Sequence, residues 1–133
     1  MNTVAVGIVS LNGAILLCQR REGGRYGLKW EFPGGKAENG ETPEECLIRE
    51  LREELSIVPV VGSLFHRHQH RYPDGGEFDV YYFTVSSFTG TPANRVFASL
   101  AWVPPAELSG YDLLEGNREV ARRLLEAHGS SQS

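Results

Sequence analysis

Three glutamates stand at a spacing that can bind a metal ion. Glu50, Glu53 and Glu54 occupy positions i, i+3 and i+4, and on a helix this spacing places three carboxylates within about one turn. Such a face is unfavourable without a compensating cation, because like charges at this spacing repel one another. Oxygen ligands suit Mg²⁺ or Mn²⁺ and disfavour Zn²⁺. Taken alone, the spacing favours a solvated acidic helix face, with a divalent metal site as the alternative interpretation.

The residues around the glutamates predict the helix that carries them. Thr42 is a favourable N-cap, Pro43 suits the first helical position, and Glu45 completes a capping box. The apolar residues that follow at helical spacing are Leu47, Ile48, Leu51 and Leu55. They form an arc beside the acidic arc, so the helix is expected to run to about Leu55 and to pack one side on the core.

Alternating and β-branched patterns predict a sheet around this helix. The expected strands cover residues 4–11, 14–19, 58–61, 64–72, 78–85 and 96–103, with hairpin turns at 12–13 and 73–76. A second helix over 117–127 carries an apolar stripe that can pack on the sheet. The chain is therefore predicted to be one α+β domain over residues 1–128, followed by a disordered tail over 129–133.

Composition and charge argue against several classes of protein. Apolar residues make up 41% of the chain, charged residues 23%, and the formal net charge is −4, whereas a nucleic-acid binder normally has a basic face. No stretch approaches the roughly 18 apolar residues of a membrane span, and the first residues do not resemble an export signal. We therefore expect a cytoplasmic protein that engages neither a nucleic acid polymer nor a membrane. Cys18 and Cys46 lie in apolar segments and are expected to be buried, reduced thiols.

Residues 35–57 resemble the signature of the Nudix hydrolases. Gly35, Glu41 and residues 49–57 match the pattern Gly-x5-Glu-x7-Arg-Glu-U-x-Glu-Glu-x-Gly-U, in which U is a bulky aliphatic residue. Ser56 is the exception, because the family has glycine there. The resemblance implies the Nudix fold, an α/β/α sandwich with a central mixed β-sheet between helices. It also implies hydrolysis of a nucleoside diphosphate linked to another group, by water attack on phosphorus with the help of a divalent metal.

The resemblance also implies a role for each matching residue. Arg49 and Glu41 would pair and brace the loop against the helix. Glu53 or Glu54 would in addition accept the proton of the attacking water. Mg²⁺ is the implied cofactor, with Mn²⁺ as the alternative. The implied metal ligands are the Gly34 carbonyl and the carboxylates of Glu50, Glu53 and Glu54.

Beyond this segment, the chain resembles the MutT-type nucleoside triphosphate pyrophosphohydrolases over nearly its whole length. Members of this group act on oxidised purine nucleotides and on CTP, releasing a nucleoside monophosphate and pyrophosphate. Arg20 resembles a position that approaches the nucleotide, and Phe32 and Asn117 resemble positions that stack on and hydrogen-bond to the base. A plain core role for Phe32 and a helix N-cap role for Asn117 are the alternatives.

The chain departs from this group in one segment. Many MutT-like members carry a further glutamate ahead of the last strand, whereas residues 94–98 here contain no acid, and none occurs between Asp79 and Glu107. A second set of metal ligands, or the base, would then come from elsewhere in the chain.

Two other functions fit the same resemblance. A Nudix enzyme for ADP-ribose, a dinucleoside polyphosphate or another nucleoside diphosphate conjugate would keep the chemistry and change the substrate. A nucleotide-sensing module would keep the fold without catalysis, although a sensor has no need of all three glutamates. The oligomeric state is not predicted.

Three histidines form a further cluster of candidate ligands. His66, His68 and His70 alternate along a predicted strand and so share one face. They would form either a transition-metal site or an ordinary polar strand surface.

Overall fold

The strands and helices follow the predicted order, with several additions. The computed structural model describes residues 2–132, and side chains for residues 2–128. The helices are α1 (Pro43–Leu55) and α2 (Arg118–Gln132), with 3₁₀ turns at Pro105–Gly110 and Glu115–Asn117. The strands are β1 (Asn2–Leu11), β2 (Ala14–Gln19), β3 (Trp30–Glu31), β4 (Gly34–Lys36), β5 (Val58–Val60), β6 (Leu64–Arg71), β7 (Glu77–Val85), β8 (Ser87–Thr89) and β9 (Ser99–Val103).

Strand β1 lies at the centre of the main sheet. It pairs in parallel with β7 along residues 2–9, and antiparallel with β2 and β4. The outer pairs, β7 with β6 and β2 with β3 and β9, are also antiparallel. The sheet is therefore mixed, as expected, and its parallel pair joins strands that are remote in sequence.

Each face of this sheet is covered by one of the helices. In β2, Ile15 and Leu17 belong to the hydrophobic cluster that includes α2 residues, whereas Leu16 and Cys18 belong to the cluster that includes α1 residues. This division follows from the period of two along a strand. The predicted α/β/α sandwich is therefore confirmed, and Cys18 and Cys46 are buried free thiols as expected.

Several boundaries differ from the sequence expectations. The last strand begins at Ser99 rather than at residue 96, because the Asn94 side chain closes a turn with the backbone of Phe97 through hydrogen bonds of 2.8 and 2.9 Å. Strand β8, which pairs with β5, was not predicted.

The C-terminal helix also differs from its predicted extent. Its backbone continues through Gln132, past the predicted end at residue 127. Ser133 and the side chains of residues 129–132 lie outside the described part of the chain, so the tail over 129–133 and the domain boundary at 128 stay predictions. In the described residues, neither helix is both long and apolar enough to cross a bilayer.

Candidate active site

Helix α1 begins and ends on local interactions that fix its acidic side. The capping box is formed: the Glu45 N–H donates to the Thr42 hydroxyl at 3.1 Å, and the Thr42 N–H donates to the Glu45 carboxylate at 2.9 Å. At the other end Ser56 adopts a left-handed conformation with φ 58°, which glycine adopts at lower cost. Its hydroxyl accepts a hydrogen bond from Arg95 Nε, so this serine forms a side-chain contact that a glycine could not.

Arg49 connects the loop before α1 to two of the glutamates. Its Nε and Nη2 donate to the two Glu41 oxygens at 2.7 and 3.0 Å, and Nη2 also donates to the Lys36 carbonyl at 3.0 Å. Its Nη1 donates to Glu50 at 2.9 Å and to Glu53 at 3.3 Å. The hydrogen bonds from Arg49 lower the pKa of Glu41 below its usual range. The pairing of Arg49 with Glu41 implied by the sequence is therefore present.

Glu50 and Glu54 lie against the glycine pair that precedes α1. A Cβ on Gly35 would lie 2.4 Å from the Glu50 carboxyl carbon, so only glycine allows this approach. Glu54 Oε1 is buried and has no hydrogen-bond partner. Burial, together with the charges of Glu50 and Glu31, raises the pKa of Glu54 to about 8, against a hydrogen bond from the Gly34 backbone that lowers it. A buried, unpaired carboxylate oxygen of this kind fits a hard divalent cation.

Glu53 does not join the other two carboxylates in this arrangement. Its side chain is 60% exposed and its carboxylate is turned to Arg49. Among the described side chains, no three His, Cys, Asp or Glu residues converge closely enough to hold a metal ion. The expected meeting of all three glutamates at one point is therefore absent here, because the Arg49 guanidinium draws Glu53 to itself.

A cavity of about 370 Å³ joins these acids to the other predicted site residues. Gly34, Gly35 and Glu54 line it, and Glu54 is the one of the three α1 glutamates among its lining residues. The substrate-binding candidates also line it, namely Arg20, Phe32 and Asn117. Residues that come from four separate stretches of sequence thus share one cavity.

Arg20 is held in this cavity by an ion pair that the sequence did not indicate. Its Nη1 donates to both Glu31 oxygens at 3.2 Å, and its Nε donates to the Arg25 carbonyl at 2.9 Å. Burial raises the pKa of Glu31, and the neighbouring Arg20 acts in the opposite direction.

Phe32 and Asn117 are joined directly at the end of the cavity nearest α2. Asn117 Oδ1 accepts the Phe32 backbone N–H at 3.0 Å, and Asn117 Nδ2 donates to the Tyr82 hydroxyl at 3.1 Å. Asn117 thus hydrogen-bonds to other elements with its side chain. Phe32 is 2% exposed and belongs to the hydrophobic core, so its core role and its position on the cavity wall coexist.

Several cavity residues were not singled out from the sequence. Glu31 and Tyr82 both lie in strands and resemble ordinary alternating positions. Lys36 directly follows the glycine pair, and this place in the sequence could have marked it as a cavity residue. Other members of this group are Tyr26 in the β2–β3 loop and Tyr72 next to the end of β6, and His70, a candidate from the histidine cluster, also lines the cavity.

The three histidines of β6 share one face, as predicted, and pack as a ladder of rings. Ring centroids of His66 and His68 lie 5.0 Å apart, and those of His68 and His70 lie 6.0 Å apart. The rings of His66 and His68 also pack on Tyr82 at 6.1 and 5.6 Å. They form no three-residue metal site among the described side chains, so the transition-metal alternative is wrong for this arrangement.

The segment that lacks the expected glutamate contacts the end of α1. Arg95 N–H donates to the Glu54 carbonyl at 3.1 Å, and Ala93 N–H donates to the Leu55 carbonyl at 2.8 Å. Residues 93–95 thus cap the helix C-terminus with backbone hydrogen bonds. Glu31 and Glu54 are the acids that line the cavity.

Comparisons with known proteins find relatives that match most of the chain. The profile of the NUDIX domain family matches residues 1–127. The chain is 38% identical to an 8-oxo-dGTP diphosphatase of Haemophilus influenzae, over 92% of this chain and 90% of the relative. It is 37% identical to a CTP pyrophosphohydrolase of Escherichia coli, over 85% and 83% of the two chains. The solution structure of the E. coli ORF135 protein superposes with a TM-score of 0.82 at 34% identity, covering 100% of this chain and 91% of that one.

Proposed function

Because this chain belongs to the Nudix family, we propose that it hydrolyses a nucleoside triphosphate to a nucleoside monophosphate and pyrophosphate. One observation carries the proposal: a single cavity is lined both by Glu54 and Gly34 and by Phe32 and Asn117. A nucleotide needs both sets of residues, one for its phosphates and one for its base. The two curated relatives carry out reactions of this type on 8-oxo-dGTP and on CTP, so an oxidised purine nucleotide and a cytidine nucleotide are the first candidates.

The phosphate end fits a divalent cation, and we propose Mg²⁺, with Mn²⁺ as the alternative. The residues that would hold it are Glu50 and Glu54, the Gly34 carbonyl, and Glu53 after it leaves Arg49. When bound, such an ion neutralises phosphate charge, activates a water and orients the leaving group. The unpaired Glu54 oxygen supports this assignment, because a buried carboxylate without a partner is costly.

The chain's own residues supply the remaining steps. Arg49 holds Glu41 and Glu50 and thereby fixes the loop against α1. Glu53 or Glu54 accepts the proton of the water that attacks phosphorus. Arg20 offers positive charge to the phosphates, Phe32 offers a ring face to the base, and Asn117 offers one remaining N–H and one remaining oxygen lone pair.

The decisive experiment is a nucleotide screen with Mg²⁺. Purified protein is incubated with the common and 8-oxo nucleoside triphosphates, with ADP-ribose and with a dinucleoside polyphosphate. Pyrophosphate, inorganic phosphate and the nucleotide product are then measured separately. We expect pyrophosphate and a nucleoside monophosphate from a triphosphate. Faster cleavage of ADP-ribose or of the dinucleoside polyphosphate would show that the substrate belongs to that class instead. Nucleotide binding without turnover of any compound would favour the nucleotide-sensing module.

A further inference from the structure

A series of buried hydrogen bonds runs from Gly116 through Tyr82 and Asn117 to Phe32. The Tyr82 hydroxyl donates to the Gly116 carbonyl at 2.9 Å and accepts from Asn117 Nδ2 at 3.1 Å. At its other end Asn117 Oδ1 accepts the Phe32 N–H at 3.0 Å. Tyr82 is 1% exposed and Asn117 6% exposed, so water does not compete for these bonds.

This series of hydrogen bonds allows only one orientation of the Asn117 amide. The Phe32 backbone group is a donor and needs the amide oxygen opposite it. A tyrosine hydroxyl has a single hydrogen, and because that hydrogen goes to Gly116, the hydroxyl presents a lone pair to Asn117. An amide flipped by 180° would set donor against donor at Phe32 and acceptor against acceptor at Tyr82, which is costly for buried groups. Both neighbours therefore fix the same orientation.

The Tyr82 ring is itself held on two sides. It packs edge-on against Phe32, with centroids 6.4 Å apart, and the His66 and His68 rings lie within 6.1 Å of it. Burial raises the pKa of Tyr82 above its usual range, which keeps the hydroxyl protonated and able to donate. The hydroxyl therefore stays in one position, where it donates to Gly116 and accepts from Asn117.

We propose that Tyr82 is a positioning residue that determines base preference by fixing which side of the Asn117 amide donates and which accepts. The inference rests on the proposed function, in which Asn117 meets the base. It predicts discrimination between cytosine and uracil. These bases have the same size, but at positions 3 and 4 cytosine presents an acceptor beside a donor and uracil presents a donor beside an acceptor. An amide held by both neighbours matches one order, whereas an amide that keeps only its bond to the Phe32 N–H flips at lower cost and discriminates less between the two bases.

The test is Tyr82→Phe, which removes the hydroxyl and keeps the ring. Affinities for CMP, UMP and ribose 5-phosphate are measured by calorimetry in EDTA, so the result does not depend on turnover. We expect the wild type to separate CMP from UMP by about tenfold, the size of one hydrogen-bond mismatch, and the variant to bring the two within about threefold. Affinity for ribose 5-phosphate, which has no base, is expected to stay unchanged.

Tyr81→Phe is the matched control. Tyr81 is the neighbouring residue of β7, and its ring packs on the other face of the sheet, parallel to Phe83. The Tyr81→Phe variant should leave the affinities for CMP, UMP and ribose 5-phosphate unchanged. Exchange of the Asn117 side-chain amide hydrogens, followed by NMR, gives a second readout without ligand: Tyr82→Phe should speed it and Tyr81→Phe should not.

Two results would overturn the proposal. One is a CMP to UMP ratio that is the same in the wild type and in Tyr82→Phe, including a ratio of one in both. The other is an equal loss of affinity for all three ligands, which a purely structural role of Tyr82 would give. A wild-type protein that separates the two bases but hydrolyses no nucleotide with Mg²⁺ would contradict the proposed function and leave the role of Tyr82 standing.

Discussion

Two parts of the site are built on different physical principles: the residues on and beside α1, called the α1 end here, and the residues beside α2, called the α2 end. At the α1 end, charged groups dominate: Arg49 contacts four glutamates, and Glu54 keeps a buried oxygen without a partner. At the α2 end, the polar groups are neutral and paired, as in the bonds that join Phe32, Asn117 and Tyr82. Unpaired charge is suited to binding a cation and phosphates, whereas a satisfied neutral network is suited to recognition with a fixed geometry. Changes at the α1 end should therefore affect kcat, and changes at the α2 end should affect KM.

The largest expected effect comes from Glu53→Gln. Gln keeps the size of the side chain but is a poorer ligand for a hard cation, so we expect turnover to fall by more than about 100-fold, because loss of even an outer-shell partner costs 10–100-fold. The thermal unfolding midpoint should change little, since Glu53 is largely exposed. The measurement is pyrophosphate release with Mg²⁺.

Glu44→Gln is the control for this change. Glu44 is exposed in the first turn of the same helix, away from the cavity, and its variant should keep full activity. Unchanged turnover in Glu53→Gln would remove Glu53 from the metal site and leave Glu50 and Glu54 as its glutamate ligands.

Arg49→Lys tests the hydrogen bonds by which Arg49 holds Glu41 and Glu50 at the α1 end. A lysine ammonium cannot form the two parallel bonds that Arg49 makes to Glu41 while also reaching Glu50. We expect kcat to fall about 10- to 100-fold and the midpoint of urea unfolding to fall, because lysine keeps the charge but loses hydrogen bonds that Arg49 makes to Glu41 and Glu50. Turnover assays and urea unfolding measure the two effects.

Arg52→Lys provides the matched control on the same helix, since Arg52 is exposed. Equal losses in the two variants would point to a general effect of exchanging arginine for lysine on α1 and contradict the bracing role.

Asn117→Ala tests the neutral end. It leaves the Phe32 N–H without its acceptor and the Tyr82 hydroxyl without its donor, both in buried positions. We expect unfolding free energy to fall by about 1–3 kcal/mol and KM to rise about tenfold with kcat within a factor of about three. Steady-state kinetics separate these quantities, and a fall in kcat with KM unchanged would contradict the division between the two ends.

The same contrast explains how much of the molecule the sequence could reveal. The capping box and the helix of Glu50 depend on neighbours within one or a few turns, so their residue types and spacing predict them, whereas the Arg49 to Glu41 pair was implied by the family resemblance. Tyr82 and Glu31 acquire their roles through pairing that is remote in sequence: the parallel contact of β1 with β7 brings Tyr82 beside Val6. Alternation along β7 indicates that Tyr82 faces a core, but not which helix covers that core.

The Arg49 contacts and the Ser56 conformation show a second kind of limit. The spacing of the three glutamates predicts a shared helix face, but the direction of Glu53 depends on competition for one guanidinium, which spacing does not encode. Ser56 breaks the family pattern in sequence, yet it occupies the left-handed conformation that the usual glycine would adopt, with Arg95 as an added partner.

The smallest expected effect is a dependence of stability on pH at the α2 end. Burial lowers the pKa of His66 and of His68, with Arg123 adding to the first shift and the neighbouring histidines to the second, while Glu119 opposes both. A lowered pKa means that the folded protein binds fewer protons than the unfolded chain between the two pKa values. Their contribution to stability is therefore fully present above pH 6.5, the ordinary histidine value, and is lost as pH falls through the lowered values. Urea unfolding at pH 7.5 and 5.5 should show a smaller pH dependence in a His66→Gln, His68→Gln double variant than in the wild type. An equal dependence in the two proteins would place the titrating groups elsewhere, at the charged end of the cavity.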